Sequence, residues 1–250
     1  MGKKAGILCA MKRVVSVFLL LIFSLSLSAT ELVSRKNEIG HRSFSRAKTL
    51  LPDIHQGLNQ TFYCGCSYQG KEINHNSCGY RIRKDPRRAS RVEWEHVVPV
   101  WAMGHQRQCW QKGGRSYCAK NDPVFTKAEG DLHNLVPAIG EINNDRSNYR
   151  FSVWARQPRM YGQCQMLVDF KGRRVQPPEQ VRGKIARITF YMVNEYRLNL
   201  SAQERRLYCI WAKAYPVDRW EQIRNQRIAA VQGNVNPFIS DPRLIERVCR

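Results

Sequence analysis

The chain has 250 residues, 43% of them hydrophobic, which is enough to bury a sizeable core and excludes intrinsically disordered and fibrous architectures. Its 41 Lys and Arg against 20 Asp and Glu leave a formal charge of +21, a surplus that points to a polyanionic partner. Arginine supplies 28 of these cations, and its planar fork grips phosphate oxygens two at a time, so nucleic acid is favoured over a membrane surface.

In chain order, Lys12-Arg13, the apolar run Val14 to Leu27 and the small residues Ser28 and Ala29 have the layout of a secretory signal peptide over residues 1–29. The run is shorter than the ~20 residues a transmembrane helix needs, and no later segment is long and apolar enough. The mature protein, residues 30–250, is therefore expected to be free of the membrane and monomeric, in the periplasm or the medium. Removal of residues 1–29 takes away four basic residues and no acid, leaving +17. It also takes away Cys9 and leaves Cys64, Cys66, Cys78, Cys109, Cys118, Cys164, Cys209 and Cys249. An even number after export predicts up to four disulfides. Their connectivity is open, with Cys109 and Cys118 expected to pair locally around Gly113-Gly114.

Phe44, Ala47, Leu50, Leu51 and Ile54 recur at helical spacing and predict a helix ending near Gly57. Thr61 to Tyr68, aromatic and cysteine-rich, is expected to be a strand, with shorter strands over Arg81 to Lys84 and Arg91 to Trp94. Gly104 to Pro123 is polar, glycine-bearing and closed by cysteines, which predicts a long loop. Leu132 to Val136 is expected to be a short strand ended by Pro137, and Ile139 to Asn148 a helix. The stripe Val181, Ile185, Ile188, Met192 and Tyr196 predicts a helix packed on the core. Ser201 with Glu204, and Asp218 with Glu221, are capping boxes that open two more helices. No repeat or linker divides residues 30–250, so the expectation is one domain with a helical C-terminal part, its arginines solvating the outer helix faces.

The chemistry concentrates in Glu93-Trp94-Glu95-His96-Val97-Val98-Pro99. A carboxylate beside an imidazole offers a hard oxygen ligand for a divalent cation and a base near neutral pH. Neighbours on a regular strand point to opposite faces, so Glu95 and His96 are expected to share a site only where the backbone is irregular. A second cluster, Glu129-Gly130-Asp131-Leu132-His133-Asn134-Leu135 followed by Gly140 to Asn148, gathers acids, amides and an imidazole around a strand-to-helix transition. An amide on that helix could complete a cation site, although Asn, Asp and Ser also suit caps and turns. Arg81, Arg83, Lys84, Arg87, Arg88 and Arg91 lead into the first cluster and could track a nucleic-acid backbone, whose phosphates carry no base information. A solvated charged face is the alternative.

Trp94-Glu95-His96-Val97-Val98-Pro99, Gly104 to Trp110 with Gly113-Gly114-Arg115, Asp131 to Leu135 and Gly140 to Asn148 closely resemble the bacterial endonuclease I family. The likeness continues through Tyr161 to Cys164 and Val231 to Asn234. It implies an α+β fold with a ββα-metal active site in an exported, nonspecific nuclease of DNA and RNA. Carried over residue by residue, the resemblance implies Glu95 and Asn143 as ligands of one Mg2+, other divalent cations being possible, and His96 as general base. It makes Arg115 the phosphate-stabilising arginine and Glu129 a further active-site acid. Asn144 stands where many relatives have Gly and competes with Asn143 as the ligand. The rival expectation is a noncatalytic exported protein that binds nucleic acid through its charge alone.

Overall fold

The computed structural model describes residues 43–154 and 159–250, so the signal segment expected over residues 1–29 lies outside it. Helix α1 (Phe44–Ile54) begins where the Ser43 hydroxyl accepts from the Arg46 N–H, satisfying one of the free amides of the first turn. It buries Ala47, Leu51 and Ile54, the stripe its spacing predicted. Thr61 to Tyr68 is not the expected strand. Thr61 Oγ1 accepts from the Cys66 N–H, Gly65 takes φ +70°, and disulfides from Cys64 to Cys164 and from Cys66 to Cys78 fix the resulting turns. The aromatic residues Phe62 and Tyr63, which signalled a strand, serve the core instead. The short strands β1 (Tyr68–Gln69) and β2 (Glu72–Ile73) pair antiparallel, and an isolated bridge joins Gln60 to Ser67.

Arg81 to Lys84 is irregular as well, because the backbone N–H groups of Arg83, Lys84 and Asp85 converge on the Glu141 carboxylate and are lost to any ladder. A short helix α2 (Pro86–Ala89) leads into β3 (Val92–His96), which begins one residue later than expected and runs two farther. The supposed loop Gly104 to Pro123 is mostly helical. After α3 (Val100–Gly104), helix α4 (Gln108–Asn121) is broken at Gly113-Gly114, where Gly114 has φ +63°. The expected Cys109–Cys118 disulfide staples across the break. Glycines and cysteines that signalled a loop mark a kink between two helical pieces.

Helix α5 (Pro123–Glu129) and a 3-10 turn, Leu132–Asn134, precede β4 (Leu135–Ile139). This strand starts three residues after the expected one, and Pro137 sits inside it. The cost is small because Pro137 stands opposite Trp94 and turns its carbonyl outward to the Phe62 N–H at 2.7 Å, so its missing N–H removes no bond to β3. β3 and β4 are antiparallel, with Glu95 opposite Val136 and His96 opposite Leu135. Helix α6 (Gly140–Arg146) follows β4 directly, completing a ββα unit in an α+β fold. A three-stranded sheet has the order β5 (Arg150–Phe151), β7 (Arg174–Gln176), β6 (Leu167–Asp169).

The C-terminal part is helical as expected: α7 (Glu179–Tyr196), α8 (Ala202–Ala214), α9 (Arg219–Gln232), α10 (Pro237–Ser240) and α11 (Arg243–Val248). Both predicted capping boxes form, and Cys209 is joined to Cys249. No described helix is long and apolar enough to cross a membrane. The arginines do not all lie outside. Arg187 is buried against the Glu221 carboxylate, and buried Arg224 donates to the carbonyls of Leu132 and His133 before β4 and of Leu135 at its start. Buried charge is costly unless it is compensated; Arg187 is paired with Glu221, joining α7 to α9, and Arg224 is held by carbonyl oxygens that tie α9 to the ββα unit.

Candidate active site

All five residues of β3 line a cavity of about 760 Å³. It therefore lies along the strand edge that β4 leaves free, where side chains from both faces reach the same space. Glu95 and His96 both line it from a regular strand, without the irregular backbone expected from the sequence. Phe44 and Lys48 of α1, Arg115 of α4, and Asn143 and Asn144 of α6 complete the wall, with Lys71, Arg88 and Arg91 adding cations.

The two faces of β3 differ in surroundings. Trp94 and His96 lie under α1, with the Phe44 and His96 rings 4.7 Å apart. His96 Nε2 is 2.8 Å from the Glu129 carbonyl oxygen, so the neutral ring carries its proton on Nε2 and leaves Nδ1 as acceptor. Burial pushes the ring down to about 3, aided by the Arg115 and Arg146 charges against the pull of the Glu129 carbonyl. His96 is thus uncharged at neutral pH.

Glu93 and Glu95 project toward α6. Burial raises the Glu95 carboxyl to about 7, opposed by the Arg146 charge and the Tyr63 hydroxyl, which both approach Oε1. Oε2 has no hydrogen bond among the described residues. Glu93 is held by Arg88 and Arg91 and accepts from Asn143 Nδ2 at 3.1 Å. That bond fixes the Asn143 amide and leaves its Oδ1 free. Asn144 is exposed, and its Oδ1 is taken by Arg88 at 2.5 Å. Among the described residues, no three His, Cys, Asp or Glu side chains are gathered for a metal. The free oxygens on Glu95 and Asn143 form a sparse, hard donor pair, which fits Mg2+ with its retained waters and not zinc.

Helix α6 is clamped from below. Burial opposes ionisation of Glu141, but the Tyr80 hydroxyl and three backbone N–H groups outweigh it and hold the carboxyl below its usual range. Asp145 accepts two bonds from Arg83 and one from the Tyr161 hydroxyl. Buried Arg146 donates to the His96 and Val97 carbonyls as well as pairing with Glu95. Gly140 is needed at the start of this helix, since a Cβ there would meet the Arg88 carbonyl oxygen at 2.5 Å. Asn134 makes two bonds to the Val98 backbone, fixing the chain just past His96.

The sequence motif thus brings Glu95, His96, Arg115 and Asn143 into one cavity. Glu129 stands behind it, with its carboxylate 2.5 Å from Arg115 Nε. Of the arginines expected on nucleic acid, Arg88 and Arg91 line the cavity while bonded to Glu93. Arg83 is occupied by Asp145 and packed on the Phe170 ring, and Arg81 and Arg87 are exposed outside the cavity. Sequence reasoning missed Glu93 and Arg146. Glu93 repeats the Glu95 face at the two-residue period of a strand, and Arg146 repeats the Asn143 face one helical turn on, signals that were available.

The sequence model of the family described as Endonuclease I matches residues 48–243. The chain belongs to the endonuclease I family. It is 54% identical over 221 residues to a periplasmic deoxyribonuclease of Aeromonas hydrophila, covering 86% of this chain and 93% of that one. It is 56% identical over 203 residues to an extracellular deoxyribonuclease of the same organism, covering 79% and 88%. An Endonuclease-1 of Buchnera aphidicola subsp. Baizongia pistaciae is 44% identical over 233 residues, covering 91% and 94%. This member of the endonuclease I family is an exported nuclease, periplasmic or secreted.

Proposed function

We propose that the chain is a Mg2+-dependent endonuclease that hydrolyses phosphodiester bonds of DNA and RNA without base preference, with His96 as general base. The observation that carries this reading is the neutral His96 ring, its Nδ1 free, sharing one cavity with the unengaged oxygens of Glu95 and Asn143. His96 Nδ1 accepts the proton of the attacking water while Nε2–H stays on the Glu129 carbonyl. The scissile phosphate is itself an anion and raises the proton affinity of the ring as it docks. Glu95 Oε2 and Asn143 Oδ1 would hold the cation, which would supply charge relief at the phosphate and the leaving oxygen. Asn143 takes this role over Asn144 because Glu93 fixes its amide with the oxygen outward, whereas Arg88 occupies the Asn144 oxygen.

Arg115 donates Nε to Glu129, and its terminal nitrogens remain for a phosphate oxygen through attack and release. Glu129 acts through its neighbours, its carboxylate aiming Arg115 and its carbonyl fixing the His96 tautomer. Contacts limited to phosphate read neither base nor sugar, which is why both nucleic acids are substrates. The signal peptide over residues 1–29 sends the mature chain, residues 30–250, to the compartment where its disulfides form. Incubation of the mature protein with plasmid and with RNA tests the reading. Cleavage of both in Mg2+ and of neither in EDTA is expected, whereas a gel shift without cutting in Mg2+ would leave only the noncatalytic binder.

A further inference from the structure

Trp101 is left 45% exposed and has no part in the chemistry above. It lies on α3, just beyond His96 in sequence, with its ring stacked on His105 at 3.6 Å between centroids and 7° between planes. His105 is fixed in turn, its Nδ1 lying 2.8 Å from the Trp101 carbonyl oxygen. One face of the indole is therefore covered and the plane of the other is set. A flat side chain held in this way loses little freedom when a second ring settles on it.

Trp101 also stands where two cavities meet. With Pro99, Arg146 and Asn148 it lines both the catalytic cavity and a second one of about 620 Å³. The second cavity continues past β5 toward the end of α7 and the start of α8, where Arg150 and Arg197 are exposed and neither is ion-paired to another described residue. The acid on that wall, Glu204, is engaged by the Ser201 hydroxyl in its capping box. An aromatic face next to the reacting site with unpaired cations beyond it matches the base and phosphate groups of one nucleic-acid strand. In a duplex both faces of each base are already stacked on neighbours. In a single strand a face is free.

We infer that Trp101 is a stacking platform for an unpaired nucleobase beside the scissile phosphate, and that it raises the affinity of the site for single-stranded stretches of DNA or RNA. This rests on the nuclease reading above. It is tested by anisotropy in EDTA with a labelled single strand of about twelve nucleotides and with the matching duplex. Trp101→Ala is expected to weaken single-strand binding by ~10-fold and duplex binding by no more than about 2-fold, and Trp101→Phe to recover most of the loss. With Mg2+ the same split is expected in KM for the single strand, with kcat changed by less than about 2-fold. Equal losses on both substrates, or no loss on the single strand, overturn the platform. If the unmodified protein binds but cuts neither substrate in Mg2+, the nuclease reading fails, and the ratio of binding losses still decides the platform.

Discussion

The two faces of β3 place neighbouring residues in opposite electrostatic settings. On the Trp94 and His96 face, α1 supplies Phe44, Leu51 and Ile54, and burial strips the imidazole of its proton. On the Glu93 and Glu95 face, α6 supplies Asn143 and Arg146, and buried charges meet hydrogen-bonded partners. One regular strand with different covers thus sets a neutral imidazole and a partnered carboxylate along a single cavity. The difference teaches that a carboxylate and an imidazole adjacent in sequence need no distorted backbone to line one cavity, provided the cavity runs along the strand edge.

The largest expected effect comes from the dry face. His96→Ala should lower cleavage by ~10²–10⁴-fold, the usual worth of a general base, while plasmid affinity measured in EDTA stays near that of the unmodified protein. On the charged face, Arg146→Met should leave Glu95 buried without its partner and lower unfolding free energy by about 3–5 kcal/mol, read from urea denaturation. Unchanged stability there would mean that Glu95 is relieved in another way. Asn143→Ala should weaken the apparent Mg2+ affinity by ~10-fold or more in a metal titration of activity, and Asn144→Ala by much less. A reversed order would exchange the roles of the two amides.

The last effect concerns two buried imidazoles outside β3. Burial holds His55, which packs near Trp94, at about 3 and His133 at about 4. The unfolded chain takes up these protons near 6.5 and the folded chain does not. The stability from both rings is therefore complete above about pH 6.5 and is lost as pH falls toward 4 and then 3. Thermal unfolding at a series of pH values should show a midpoint declining through that window, with His133→Asn flattening part of the slope.

Helices set by their own spacing and caps were legible in the sequence, as α1, α7 and the capping boxes of α8 and α9 show. Apart from Gly104 to Pro123, where a local kink stapled by Cys109–Cys118 resembled a loop, what failed depended on partners distant in the chain. Thr61 to Tyr68 lost its strand to two disulfides, and the arginines expected outside include Arg187 and Arg224, which are buried because Glu221 and the carbonyls around the start of β4 receive them. Pro137 reads as a strand end unless Phe62 is known to lie against it. At the site, Glu95, His96, Arg115 and Asn143 were visible as motif residues. The anchoring of Asn143 by Glu93 needs the packing of β3 against α6, which no local pattern encodes.

The division of labour across β3 is tested most directly by calorimetric titration of Mg2+ into the unmodified protein, His96→Ala and Glu95→Ala, with plasmid cleavage followed on the same samples. His96→Ala should bind Mg2+ as the unmodified protein does and fail to cut. Glu95→Ala should bind it weakly and regain part of its rate as Mg2+ is raised. Loss of Mg2+ binding in His96→Ala with retention in Glu95→Ala would contradict the account.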